Sequence, residues 1–365
     1  MNAESDRSPS RLVFGAGPFL ATVRHRVNLH FAGRARRDDP RLLRKAAIIG
    51  VWFVASYALL ITVQSGWAQI VLCISFTLAA VALGFNIFHD AVHDSFSANP
   101  RVNYFLSRAT CSVLGVSRYL WRYKHNVLHH QFTNIFRWDD DIETRGNLRL
   151  SPRQPWEPKF RNQHRWFYVL YCFVSLEWLL VKDFVQYFTL RINPYQAIPP
   201  LSTKEKLEFW GCKAIYVAVF IALPFALQPA WRVIAGMLIF HILFSLLIAF
   251  IFNLAHAIEK ADFPVPTGSP ETIAEEWAAH QMRTTVNFAP DNRLLNWFTG
   301  GLNYQIEHHL FPYVSHTHYP DIRNIVRAAA EEFGLPYNSY DTYVSTVRSH
   351  VRILRELGSE TPTTA

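Results

Sequence analysis

Four stretches of the chain are almost free of polar interruption, and they set the pattern for everything else. Residues 46–63, 67–88 and 214–231 hold no Asp, Glu, Lys or Arg, and 233–255 holds His241 as its one basic group. Each run approaches the roughly 20 apolar residues that cross a bilayer. One such run could be a buried core helix, but four make a membrane protein the expected class. Gln64-Ser65-Gly66 separates the first two runs and a short connection at Arg232 the last two. The pattern therefore predicts two tight helical hairpins. Pro224 predicts a kink in the third span, which neighbouring helices can tolerate.

A shorter apolar run, 166–181, contains only Glu177 as a charge and is followed by Lys182 and Asp183. At this length it predicts a helix lying in the membrane interface with its aromatic rings at headgroup level. Near the C-terminus Val344, Val347, Val351 and Leu354 fall on one helical face, with Gly358 as a stop. Three regions are expected: a basic N-terminal segment (1–45), a membrane domain (46–340) and a C-terminal helix and tail (341–365).

Charge adds sidedness. The 36 Lys and Arg outnumber the 28 Asp and Glu, and the excess is not spread evenly. Arg24, Arg26, Arg34, Arg36, Arg37, Arg41, Arg44 and Lys45 precede the first span, and residues 89–213 and 256–365 are Arg-rich. The two hairpin turns carry almost nothing. Positive loops stay on the cytoplasmic side, so both termini and both long segments are expected there. A basic balance of this kind fits anionic headgroups rather than nucleic acid. No cleavable signal sequence is expected before the first span. Cys73, Cys111, Cys172 and Cys212 lack the paired spacing of a disulfide framework or a cysteine zinc site.

The chemistry lies in the histidines. His89 and His93 follow the second span at i and i+4, about 6 Å apart along a helix, a spacing at which two imidazoles share a metal. His125 and His129 repeat the spacing, with His130 beside them. Gln305 precedes His308-His309, and His256 closes the fourth span three residues after Asn253. Any single histidine is more often a hydrogen-bonded bystander. Together, eight of the sixteen histidines occupy these four places. So many imidazoles brought together without a metal would be costly to desolvate, whereas a metal needs them neutral, as iron and zinc do. Four spans put all of them on one membrane face. A fifth crossing at 166–181 would separate His308 and His309 from His89–His130 by about 30 Å of hydrocarbon. His241 lies about 22 Å deeper than His256 on one helix, too far to join. It either lines a substrate tunnel or packs as a satisfied residue.

Eight histidines and Gln305 exceed the needs of one ion. Zinc hydrolysis usually takes three protein ligands, and soluble di-iron bundles use carboxylates. A nitrogen-rich pair of redox ions beside a bilayer points to oxygen chemistry on a lipid.

These residues resemble the membrane fatty acid desaturases. The likeness is carried by His89-Asp-Ala-Val-His93, by His125–His130 with Thr133-Asn134 following, and by Gly300-Gly-Leu-Asn-Tyr-Gln305-Ile-Glu-His-His-Leu-Phe-Pro312. The third box is similar to that of the subgroup with Gln as its first residue, which includes front-end and some bacterial acyl desaturases. The resemblance implies an all-α membrane protein, with four transmembrane helices under a cytoplasmic helical cap that holds a histidine-rich di-iron site. It implies insertion of a double bond with O2 and two electrons, and His89, His93, His125, His129, His130, His256, His308 and His309 as metal ligands. Gln305 and Asn253 are further candidate donors. Asp90, Asp94, Glu307 and the run Asp139–Asp141 would orient imidazoles through their outer N–H, although the run also reads as a solvated turn. Arg118, Arg122 and Lys124 are placed to meet either a phosphate-bearing substrate group or inner-leaflet headgroups. Many front-end desaturases carry a fused haem donor. The segment before the first span is shorter than such a domain and lacks a haem motif, so a separate donor is expected, a ferredoxin or a b-type cytochrome with its reductase. A lipid hydroxylase of the same di-iron class is the nearest alternative. A metal or proton transporter is more distant, because it would place polar groups at mid-membrane.

Overall fold

The computed structural model describes residues 12–360. Four helices have the length and composition to cross a membrane: Pro40–Thr62, Gly66–Val92, Thr203–Leu227 and Ala230–His256. They form the two expected hairpins. The first span starts sharply because Asp39 caps it and Pro40 occupies its first turn, where a missing N–H costs nothing. The third helix starts at Thr203, earlier than the charge-free run suggests. A capping box between Ser202 and Glu205 opens it, and its first turns carry Lys204, Lys206, Glu208 and Lys213. Charge-free sequence measures the part that matches hydrocarbon, not the whole helix. Pro224 is met by a π-helical turn over Ala218–Ala222 just before it, which absorbs the lost hydrogen bond.

Aromatic rings from all four spans meet in the bundle. The Phe76 ring lies 5.0 Å from Phe53, 6.0 Å from Phe220 and 5.4 Å from Phe240. Outward, Val51, Val54, Leu59, Ile234 and Leu238 stay exposed. Such a surface is unfavourable in water and suited to acyl chains.

The segment at 166–181 is not among these four helices; it is a series of short helices between Gln163 and Thr189. The Ser175 amide donates to Ser245 Oγ (2.9 Å), and its hydroxyl reaches His241 Nδ1 (2.9 Å). Both partners are in the interior of the fourth span. Its ends return to the histidine end of the bundle, where Tyr171 OH bonds His350 and Lys182 pairs with Asp140. Where an interfacial helix is expected, the chain makes an excursion packed along the fourth span, held there by buried hydroxyls and by Lys213–Asp183 at 2.7 Å.

The remaining chain builds a cap over that end. Phe19–His30, Tyr319–Glu332 and the third histidine box share one apolar core that includes Phe19, Ile306, Phe311 and Ile322. The C-terminal helix runs Tyr343–Leu357 and stops at Gly358. Of the expected stripe Leu354 is fully buried and Val347 and Val351 pack partly buried against the core, whereas Val344 is exposed; Thr346, His350, Ile353 and Leu357 are buried beside them. The buried stripe contains polar residues that have partners, which an apolar pattern passes over.

Candidate metal centre

Each histidine box sits where the helix is locally unusual. A π-helical turn over Gly84–Phe88 precedes His89, and another runs Tyr123–His129. Such turns recur at functional sites because they re-aim side chains. The second changes the expected pairing. In a π-turn, residues five apart stack, and His125 Nε2 lies 3.2 Å from His130 Nε2. His125 and His129 stay close, with ring centroids 5.3 Å apart, and their possible ligand atoms lie within 4.8 Å of one another and of Asp141.

The third box is brought in by Gly300 and Gly301, at φ +62° and +72°. A Cβ on Gly300 would stand 2.5 Å from Phe85 O. This close approach lets the box rest directly on the π-turn before His89. Asn86 fastens the contact by donating to Phe298 O at 3.0 Å.

All eight histidines converge. Possible ligand atoms of His89, His93, His125 and His308 lie within 4.8 Å of one another, as do those of His129, His256 and His309. His130 joins the two sets. Its ring centroid is 4.7 Å from His93, 4.6 Å from His308 and 4.3 Å from His309. All eight are buried.

Four of the eight have an outer ring nitrogen held by a neighbouring group, and neither nitrogen of His89 has a hydrogen-bond partner among the described residues. Outer ring nitrogens are occupied: His129 Nδ1 by Asp139 (3.1 Å), His256 Nδ1 by Thr284 O (3.2 Å), His308 Nδ1 by Tyr319 OH (3.2 Å) and His309 Nδ1 by Gln281 Oε1 (2.8 Å). By contrast, His89 Nε2, His93 Nε2, His130 Nδ1, His308 Nε2 and His309 Nε2 are buried with no hydrogen-bond partner among the described residues. Buried polar atoms are normally paired. Free inner nitrogens backed by occupied outer ones are what a metal site requires. Burial, reinforced by neighbouring imidazoles, pushes His93, His125, His130, His308 and His309 well below the ordinary histidine pKa. They are therefore neutral donors. Burial opposes charge on His129 too, but Asp139 and Asp141 outweigh it and raise its pKa.

The acidic residues divide. Asp139–Asp141 form no solvated turn: Asp139 and Asp140 are buried, and Lys124 and Lys182 complete an ionic network through Asp141 and Asp140. Asp90 chiefly holds His316 Nδ1 at 2.8 Å, with Lys45 on the other side of that ring at 3.0 Å. Asp94 is half-buried and bonds none of the eight histidines among the described residues. Glu307 points elsewhere as well, to Asn287 Nδ2 (2.8 Å) and Tyr337 OH (2.7 Å). Its burial lifts its pKa to about 7. The Gln305 amide donates to Leu302 O and that of Asn253 to Ala249 O, so both are tied to backbone. The sequence gives no local sign of Gln281 or Tyr319, since neither lies in a histidine box.

Arg118 donates to Ser107 Oγ (2.7 Å) and Lys124 belongs to the buried network, so neither is a free phosphate ligand. His241 satisfies both ring nitrogens, with Ser175 Oγ at 2.9 Å and Tyr216 OH at 3.3 Å. It also lines two apolar cavities, one of which reaches His89.

The fatty acid desaturase family model matches residues 65–341. The chain is similar to an sn-1 linoleoyl-lipid 6-desaturase of Synechocystis sp. (35% identity, covering 93% of this chain and 95% of the relative). It is equally similar to one of Arthrospira platensis (35%, 98% and 97%). An acyl-lipid (8-3)-desaturase of Mortierella alpina is 32% identical over 93% of this chain and 78% of its own.

Proposed function

The chain belongs to the fatty acid desaturase family, and on that premise we propose that it desaturates acyl chains carried on membrane lipids, using O2 and a histidine-held di-iron centre. The observation that carries this reading is the set of eight buried imidazoles at one end of four spans, five of them with a buried ring nitrogen that has no hydrogen-bond partner among the described residues. An apolar cavity ends at the same place. His89, His93, His125 and His308 would hold one ion and His129, His256 and His309 the other, with His130 between them. Iron bound there supplies the redox chemistry that couples O2 reduction to removal of two hydrogens from neighbouring methylenes.

The protein's own contribution is positional. Asp139, Tyr319, Gln281 and the Thr284 carbonyl fix ring orientation and tautomer. The apolar cavity lets a methylene chain approach the ions while excluding water. Relatives named as lipid-linked desaturases favour a lipid-bound substrate over a free acid. Arginine-rich segments at the histidine end favour a cytoplasmic centre with both termini on that side. Electrons would come from a separate ferredoxin or b-type cytochrome with its reductase.

The test is expression in a host with a simple lipid profile, followed by mass analysis of acyl chains. Loss of two hydrogens at a new double bond is expected; gain of one oxygen would instead identify a hydroxylase. Replacing His129 or His308 by Ala should abolish the product and lower bound iron. Full turnover by His129→Ala would refute the assignment.

A further inference from the structure

Two cavities lie in the membrane part of the molecule. The smaller, about 70 Å³, runs from His89 between Phe88, Trp121 and Leu179. The larger, about 550 Å³, opens toward the hairpin turns at Trp67 and Trp231. They share five lining residues: Val113, Leu114, Tyr216, Phe240 and His241. The shared wall is where the bundle interior holds its polar knot. Tyr216 OH meets His241 Nε2 at 3.3 Å, His241 Nδ1 meets Ser175 Oγ at 2.9 Å, and that hydroxyl meets Ser245 Oγ at 2.7 Å. Polar side chains at such depth are costly and mark function. Here they come from three separate elements: the third span, the fourth span and the excursion packed along it. Every one is satisfied by another protein group, so the knot presents no free donor set to an ion.

We propose that the Tyr216–His241 pair is a stop at the end of the acyl channel, which sets how many methylenes can lie beyond the metal centre. This deepens, and rests on, the acyl-desaturase reading. His241 is 15 residues from His256 on one helix, about 22 Å along its axis. That is more than half of the roughly 30 Å hydrocarbon thickness. An acyl tail fills the small cavity and ends against the two rings. A longer tail must part Tyr216 from His241 to enter the large chamber. At 3.3 Å the contact between them is longer than those of Ser175 with His241 Nδ1 and with Ser245. The pair closes by ring packing and a hydrogen bond, and the chamber behind it is space a longer tail can use once the pair is removed.

The experiment feeds cells expressing the full chain an equimolar pair of unsaturated fatty acids that differ only in length, and measures the desaturated fraction of each with bound iron per protein. In a hydrophobic pocket one methylene is worth roughly 10–200-fold in discrimination. The wild type should favour the shorter acid, and Tyr216→Ala should shift the long-to-short product ratio by ~10-fold or more at unchanged iron content. Leu114→Ala widens the same neck without touching a hydrogen bond, and should shift the ratio in the same direction if Tyr216→Ala does not fold. An unchanged ratio in the iron-loaded variants overturns the stop. A wild type that desaturates neither acid would overturn the underlying reading instead.

Discussion

At the scale of single residues, the centre is built from imidazoles whose two nitrogens have different tasks. Gln281 and Asp139 show how much rests on the outer ones. Each takes the outer nitrogen of a histidine in the same cluster. Replacing Gln281 by Ala or Asp139 by Asn should cost about 10–100-fold in activity or metal affinity, as loss of such partners typically does. Iron content and acyl products of the purified variants measure this. His130 invites a sharper comparison. His93→Ala and His256→Ala should each deplete chiefly one ion, whereas His130→Ala, close to both groups, should deplete both. Stoichiometry by metal analysis distinguishes these outcomes. The eight histidines could be read from sequence because their spacing on helices is itself chemistry. Gln281 and Tyr319 could not, since they meet His309 and His308 only through tertiary packing.

Among elements, the π-turns and the Gly300-Gly301 corner do what regular helices would not. A strict α-helix would pair His125 with His129. The π-turn also brings His125 against His130, so that the second box contributes to every group of the centre. No propensity pattern announces such a turn, so the spacing alone gave no sign of the His125–His130 contact. Gly300 can be tested against an internal reference. Gly33 also sits at positive φ, +75°, but an added Cβ there meets nothing. Gly33→Ala should therefore cost only backbone strain, of order 1–3 kcal/mol. Gly300→Ala adds a collision with Phe85 O and should lower the midpoint of thermal unfolding in detergent further, with loss of bound iron. Equal midpoints for the two variants would contradict the close packing. The excursion at 163–189 is tied to the fourth span by Ser175 reaching His241, a contact between residues remote in sequence that no local pattern shows.

For the whole molecule, an even number of spans and the charge asymmetry together predict that the segments before the first span and after the fourth lie on one side. Cysteine introduced at exposed Arg24 and Arg348 should react with a membrane-impermeant reagent from the same face, and cysteine at exposed Trp67 from the other. The background is favourable, because Cys73, Cys111 and Cys212 are buried and Cys172 can be replaced by Ser. Labelling of Arg24→Cys and Trp67→Cys from the same face would exclude the hairpin arrangement.

The most direct measurement is the iron stoichiometry of the purified wild-type chain, taken together with an X-ray absorption spectrum of the bound metal. Eight converging imidazoles predict two irons per chain in shells dominated by nitrogen. Iron-free protein that still desaturates, or a single ion bound through oxygen or sulfur, would contradict the centre described above.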